Sequence, residues 1–179
     1  MKSLTNQLIR FIEAQKMFFV ATAAPDGRVN VSPKGLDDTL KVLDNKRIVW
    51  LNLSGSGNET AAHIYEQNRI TLMFCAFEGS AMILRIYGQA NIIHPRDEAW
   101  PDLISLFPEL PGSRQIFDIT IESAQTSCGS GVPFYEFKGD RGLAELLPFY
   151  EDMGTDGVTA YWQKKNQTSI DGKPTHIFA

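Results

Sequence analysis

Residues 49–64 read Val-Trp-Leu-Asn-Leu-Ser-Gly-Ser-Gly-Asn-Glu-Thr-Ala-Ala-His-Ile, and the rest of the chain is interpreted around them. An apolar, β-prone run is followed by a glycine-rich turn and then by the opening of a helix. Such a turn leaves backbone N–H groups free at the helix N-terminus, where the amides and the helix dipole both favour an anion. A second loop, Ser32-Pro33-Lys34-Gly35, follows another strand-like run and adds a cation. We therefore expect the two loops to hold a phosphorylated cofactor between them.

The glycine loop also has a purely structural interpretation. It is not a P-loop, because no Gly-Lys-Ser/Thr closes it. Gly55-x-Gly57 is followed by Thr60 where a dinucleotide fingerprint has its third glycine. A strand-to-helix turn that uses glycine for its positive φ explains the pattern equally well.

Single residues near these loops leave two interpretations open as well. Ser56 and Glu59 have the Ser-x-x-Glu spacing of a capping box, and Asn58 is an alternative N-cap. Lys34 alone is typical of a solvated surface charge. Arg85 interrupts an apolar strand, so it either points outward or projects into a site or subunit interface.

Composition excludes several classes of protein. The 179 residues are 43% hydrophobic and 21% charged, which is an ordinary globular balance for one domain. The net charge of −4 and the lack of any basic run argue against a nucleic-acid partner. No apolar run approaches the roughly 20 residues of a membrane helix, so we expect no membrane partner.

Cysteines and histidines point neither to a disulfide framework nor to a metal site. Cys75 and Cys128 lie far apart, which fits a reducing cytoplasm, and the first residues are too polar for a signal peptide. His63, His94 and His176 are scattered without the spacing of metal ligands, so we predict no metal.

The hydrophobic pattern predicts a mainly β protein with flanking helices. Strands are expected at residues 17–23, 28–32, 39–43 (a short one), 47–53, 70–77, 81–93 and 114–124, and helices at 3–15, 58–68, 95–107 and 140–165, before a tail at 169–179. Gly88 inside a strand predicts a bulge or sharp bend. Six or seven short strands joined mostly by turns favour an antiparallel barrel with helices around it.

The order of these segments resembles the pyridoxamine 5′-phosphate oxidase-like superfamily of FMN-binding split barrels. The resemblance covers residues 5–95 well and the C-terminal third more loosely. It rests on Phe18-Phe19-Val20-Ala21-Thr22-Ala23, a Pro-Asp-Gly turn, Arg28-Val29-Asn30-Val31-Ser32-Pro33-Lys34-Gly35, Trp50-Leu51-Asn52, Gly57-Asn58-Glu59-Thr60 and Leu84-Arg85-Ile86-Tyr87-Gly88-Gln89-Ala90. Each piece is weak alone, but together and in the proper order they are fairly specific.

The resemblance implies one six-stranded antiparallel split-barrel domain over residues 1–179, with a helical C-terminal extension. It also implies a homodimer with FMN at the subunit interface. The residues that it places at the cofactor are Asn30, Val31, Ser32, Pro33, Lys34, Leu51, Asn52, Asn58, Glu59, Thr60 and Arg85. It assigns no catalytic acid or base.

Departures from the family pattern limit the choice of substrate. Glu59-Thr60 stands where the pyridoxamine oxidases proper carry Arg-Lys, Ile83 replaces a glutamine, and their C-terminal Arg-Leu-His-Asp-Arg signature is missing. We therefore expect an FMN-dependent oxidoreductase acting on an unidentified small molecule. The alternatives are a non-catalytic flavin- or haem-binding module on the same barrel and a nicotinamide-binding α/β enzyme.

Overall fold

The protein is built on one antiparallel sheet with the strand order β2-β1-β5-β6-β7-β4-β3. The computed structural model describes residues 1–179. In chain order the elements are α1 (Asn6–Ala14), β1 (Met17–Thr22), β2 (Asn30–Gly35), β3 (Leu40–Asp44), β4 (Arg47–Leu53), α2 (Glu59–Glu66), β5 (Arg69–Cys75), β6 (Ile83–Ile93), α3 (Trp100–Ile104), β7 (Ser113–Ser127), a π-helical turn (Gly142–Leu146) and α4 (Leu147–Lys165).

The expected fold class is confirmed, but the number of strands is seven and not six. The additional strand is β3, which the sequence marked only as a possible short strand. It pairs with β4 from Leu40 opposite Trp50 onward and so extends one edge of the sheet. The strand β2 forms the other edge, and every neighbouring pair of strands is antiparallel.

The predicted bulge at Gly88 is confirmed and shows why a glycine is needed there. The register between β6 and β7 shifts between Tyr87 and Gly88. A Cβ at Gly88 would lie 2.2 Å from the carbonyl oxygen of Thr120, which is closer than any side chain tolerates. The two longest strands can therefore bend together only because position 88 has no side chain, and a curled sheet results.

Two hydrophobic clusters lie on opposite faces of the sheet. The larger cluster fills the inside of the curl, where Trp50 stacks on Phe117 with ring centroids 4.8 Å apart and helix α1 packs against it. The smaller cluster packs α3 against β4 and β7 through Leu51 and Leu103. Side chains of β4 alternate between these clusters, as the pleat of a strand requires.

Three helices, α1, α2 and α3, are shorter than the sequence predicts. Helix α2 ends at Glu66, and α3 spans only Trp100–Ile104 of the expected 95–107 segment. Helix α4 matches the expected C-terminal helical segment, but its backbone breaks at Gly154, where φ is 65°. No helix has both the length and the apolar character to cross a membrane.

The last residues do not form a free tail, contrary to the expectation for 169–179. Thr175 is fully buried, and its hydroxyl donates to the carbonyl oxygen of Asn166 at 2.5 Å. The guanidinium of Arg96 donates to the carbonyl oxygens of His176 and Ile177 at 2.7 and 2.8 Å. The side chain of Arg96, about 80 residues earlier in the chain, fixes this segment, so its own composition gave no sign of its order.

Candidate functional site

A cavity of ≈ 880 Å³ opens where the end of β2 faces the end of β4. Four of the predicted cofactor residues line it together: Pro33, Lys34, Leu51 and Asn52. Its outer wall comes from the segment after β7 and includes Phe137, Arg141, Leu146 and Phe149. The volume lies in the range of small-molecule sites, roughly 300–1,000 Å³. The structure therefore brings the two predicted strand ends to one cavity.

Lys34 is a partly buried cation without a partner. Its Nζ makes no hydrogen bond or ion pair within the chain and lies 5.4 Å from the centre of the Trp50 ring. Burial, together with the nearby positive charge of Arg114, lowers the pKa of Lys34 to about 8. A desolvated ammonium group with no counter-ion is expected to attract an anion into the cavity.

Arg114 is a second buried cation, and sequence analysis missed its role. Only 4% of its surface is exposed, and no carboxylate pairs with it. Its Nη2 donates to Oδ1 of Asn52 at 2.6 Å, and its Nη1 donates to Oδ1 of Asn166 at 2.8 Å and to the carbonyl oxygen of Gly57 at 3.0 Å. Nε has no partner. Burial lowers the pKa of this guanidinium to about 10.

A buried amide network extends from Arg114 to the opening of α2. The side chain of Gln115 donates to Oδ1 of Asn58 at 2.8 Å and to Oδ1 of Asn52 at 3.4 Å. All three amide side chains are at least 95% buried, with exposures of 0% for Gln115, 2% for Asn58 and 5% for Asn52. Two predicted cofactor residues, Asn52 and Asn58, are thus held by one network that contains no acid.

The predicted capping box at α2 is wrong. Asn58 occupies the N-cap position, but its side chain makes no capping bond because it is engaged by Gln115. Both carboxylate oxygens of Glu59 instead accept the backbone N–H of Ile170 at 3.1 Å. The first turn of α2 therefore has no side-chain cap, and its amides are open to an external acceptor.

The inward side of β2 approaches the start of α2. Nδ2 of Asn30 donates to Oγ1 of Thr60 at 3.3 Å and to Oγ1 of Thr22 at 3.4 Å. The hydroxyl of Ser32 is buried without a hydrogen-bond partner. Val31, between them, is 62% exposed and lies on the outer side of this edge strand. Asn30, Ser32 and Lys34 thus share the inward side of β2.

Arg85 lies apart from the cavity. Its Nη1 donates to Oγ of Ser127 at 3.2 Å, across the pair of β6 with β7. The register aligns Phe19, Met73 and Arg85 across β1, β5 and β6, and it aligns Ala21, Thr71 and Tyr87 next to them. None of these six residues belongs to either hydrophobic cluster. They form one partly exposed face of the sheet.

The histidines serve the packing around α2. Nδ1 of His63 lies 3.1 Å from Oγ1 of Thr22, and Nε2 of His94 lies 3.1 Å from the hydroxyl of Tyr65. Burial, with a smaller contribution from Arg96, lowers the pKa of His94 to about 4. No group of three or more histidine, cysteine, aspartate or glutamate side chains is arranged to hold a metal ion.

The residues around the cavity fit a phosphorylated flavin. Neither Lys34 nor Arg114 forms an ion pair, although Asp140 and Glu145 also line the cavity. Outside the lining itself, Ser32 Oγ and Arg114 Nε have unused hydrogen-bonding capacity. The cavity wall adds aromatic and aliphatic surface from Trp50, Leu51, Phe137 and Phe149. Cationic groups next to an apolar wall suit a ligand that combines a phosphate with a planar ring.

The curled antiparallel sheet with helices around it places the protein among the split barrels. The family model described as pyridoxamine 5′-phosphate oxidase matches residues 4–128, and the chain belongs to this family. The pyridoxamine 5′-phosphate oxidase family protein ustO of Aspergillus flavus is 31% identical over 188 residues, which cover 97% of this chain and 76% of that protein.

Two solved structures share the fold. HupZ of Group A Streptococcus aligns with a TM-score of 0.55 at 20% identity, over 74% of this chain and 99% of that chain. A Clostridium acetobutylicum protein, described as related to general stress protein 26 and of the pyridoxinephosphate oxidase family, aligns with a TM-score of 0.53 at 17% identity, over 68% and 86% of the two chains. At these identities the likeness concerns the fold alone.

Proposed function

We propose that the protein binds FMN and acts as an FMN-dependent oxidoreductase of the pyridoxamine 5′-phosphate oxidase-related type, with a small molecule as its substrate. One observation carries the proposal: Lys34, which lines a cavity of ≈ 880 Å³, and the buried Arg114, which donates to the lining residue Asn52, form no ion pair with any carboxylate. Leaving a buried charge uncompensated is costly, so a site with two such charges is suited to an anionic ligand. Membership of the family supports flavin as that ligand.

Each residue around the cavity has a distinct part in this proposal. Lys34 offsets the negative charge of the phosphate or of the reduced ring. Asn52, held by Arg114, presents its amide to the cofactor, and the free amides at the start of α2 donate to the phosphate. The flavin, when bound, supplies the capacity to accept a hydride. The protein supplies charge, orientation and the exclusion of water.

A homodimer is part of the same proposal. The face of β1, β5 and β6 with Phe19, Met73 and Arg85 joins neither hydrophobic cluster, and a second copy of the chain would cover it. Arg85 would then lie at the subunit interface, in agreement with one of its two interpretations from sequence. Light scattering on the eluting peak of a size-exclusion column should give the mass of two chains.

An absorbance spectrum of the purified protein tests the cofactor. We expect flavin bands, or their appearance on adding FMN, with mass spectrometry identifying FMN as the molecule released on denaturation. A colourless protein that does not bind FMN in a titration would contradict the proposal. The rate at which the FMN-loaded protein oxidises reduced nicotinamide, compared with the rate for free FMN, then tests the proposed oxidoreductase activity. Flavin binding without such turnover would favour the non-catalytic module.

A further inference from the structure

Two carbonyl groups of the glycine loop are held from inside the protein. Nδ2 of Asn166 donates to the carbonyl oxygen of Gly55 at 2.9 Å, and Nη1 of Arg114 donates to that of Gly57 at 3.0 Å. The two side chains also join each other, because the same Nη1 donates to Oδ1 of Asn166 at 2.8 Å. We call this pair the Arg114–Asn166 clamp.

The clamp fixes the direction of the loop amides. In a trans peptide unit the N–H points opposite to the C=O, and the chain has no cis peptide bond. The N–H groups of Ser56 and Asn58 share peptide units with the carbonyls of Gly55 and Gly57, so they point away from the clamp. Neither N–H has an acceptor within the chain. Two donors of one short loop that have no acceptor within the chain therefore point away from the clamp.

The clamp also carries an unbalanced positive charge. Arg114 is 4% exposed and Asn166 is fully buried, and the oxygens that surround the guanidinium belong to amides and carbonyls. Neutral acceptors satisfy the N–H groups but leave the net charge in place. Its field adds to that of the oriented amides, and both favour an anion at the outer side of the loop.

We propose that Arg114 and Asn166 are positioning residues for the phosphate of the flavin: by holding the Gly55 and Gly57 carbonyls they turn the loop amides toward it and thereby set a preference for FMN over riboflavin, which lacks the phosphate. This inference rests on the proposed function. Asn166 follows α4 and lies beyond residues 4–128, which the family model matches, so the C-terminal extension of this chain takes part in cofactor selection.

Asn166→Asp is the informative variant because it is nearly isosteric. The new carboxylate still accepts from Arg114 but balances its charge, and it no longer donates to the carbonyl of Gly55. We expect the ratio of the riboflavin to the FMN dissociation constant, measured by flavin fluorescence titration, to fall about tenfold or more. Arg114→Lys keeps the positive charge but loses the planar guanidinium that donates to several acceptors at once. We therefore expect a smaller fall, of about threefold, in the same ratio of dissociation constants.

Arg47→Gln provides the matched control. Arg47 is a half-exposed arginine of β4 paired with Asp118 at 2.9 Å, so the variant lowers the net charge by one unit, as Asn166→Asp does, but away from the loop. Its ratio of dissociation constants should equal that of the wild type. The melting temperature of each variant reports on folding. If the clamp had only a structural role, its variants would bind FMN and riboflavin equally more weakly and would also melt at a lower temperature.

The possible outcomes distinguish a failure of the clamp inference from a failure of the proposed flavin binding. A selective loss of FMN affinity in Asn166→Asp and Arg114→Lys supports the clamp. An unchanged ratio in folded variants overturns it, as does a wild-type protein that binds both flavins equally well, although flavin binding itself would then stand. A wild-type protein that binds neither flavin overturns the proposed function together with the inference.

Discussion

Lys34→Met should stabilise the free protein while weakening its binding of FMN. The pKa of Lys34 falls from 10.5 to about 8 on folding, mainly through burial and then through Arg114. Between about pH 8 and 10.5 the unfolded chain binds more protons than the folded one, so the free energy of unfolding rises with pH in this window. Below about pH 8 Lys34 is charged in both states, so the full free-energy cost of burying its ammonium group is present. A shift of about 2.5 units corresponds to about 3 kcal/mol, an upper estimate of the gain in Lys34→Met near neutral pH.

FMN binding should show the opposite dependence on pH. A phosphate near Lys34 favours the charged ammonium and raises its pKa again, so binding is linked to uptake of a proton. The affinity for FMN should therefore fall by up to about tenfold for each pH unit above about 8. Riboflavin has no phosphate, so its affinity should not show this dependence on pH. In Lys34→Met the FMN affinity should be weaker near neutral pH, by about tenfold, and independent of this titration.

Two measurements on the wild type and Lys34→Met check these expectations. Urea unfolding at about pH 7 and about pH 9 gives the free energy of unfolding, and fluorescence titration with FMN and riboflavin at the same values gives the affinities. The reasoning fails if Lys34→Met is destabilised at both pH values. It also fails if the FMN affinity of the wild type does not change with pH, because Lys34 would then not interact with the bound phosphate.

Three further predictions concern the sheet, the cysteines and the dimer. Gly88→Ala should destabilise the protein by about 3 kcal/mol in urea unfolding, since the new Cβ would lie 2.2 Å from a carbonyl oxygen of β7; an unaltered midpoint would contradict the bulge. In the folded protein a thiol reagent should modify Cys128, which is exposed, well before Cys75, which is buried and whose pKa burial raises; equal rates would refute this. Met73→Glu should shift light scattering from the mass of two chains to that of one, and a persisting dimer would place the interface elsewhere.

The strand pattern was readable from the sequence because it depends on local alternation. Gly88 marked its bulge, and the short strand β3 was recognised even though the family resemblance implied only six strands. That Lys34 and Asn52 share one site was implied by the family resemblance, and the structure places both residues at one cavity. Flavin binding by these residues stays a prediction.

Long-range partners were not readable in the same way. The capping box at Glu59 has the correct local spacing, but its carboxylate binds the N–H of Ile170, which lies 111 residues further along the chain. Arg114 meets Asn166 across 52 residues, and nothing in the composition around either residue distinguishes it from a surface position. Such contacts depend on how the C-terminal segment packs, and sequence periodicity carries no information about that.

A crystal structure of the protein with FMN tests the central claim most directly. That claim is that one loop with a cation and another with free amides hold the same anion. We predict that the phosphate lies within hydrogen-bonding distance, roughly 2.7–3.2 Å, of the N–H groups of Ser56 or Asn58 and that the Nζ of Lys34 approaches the same phosphate. Electron density for the flavin outside the cavity lined by Lys34 and Asn52 would contradict the account.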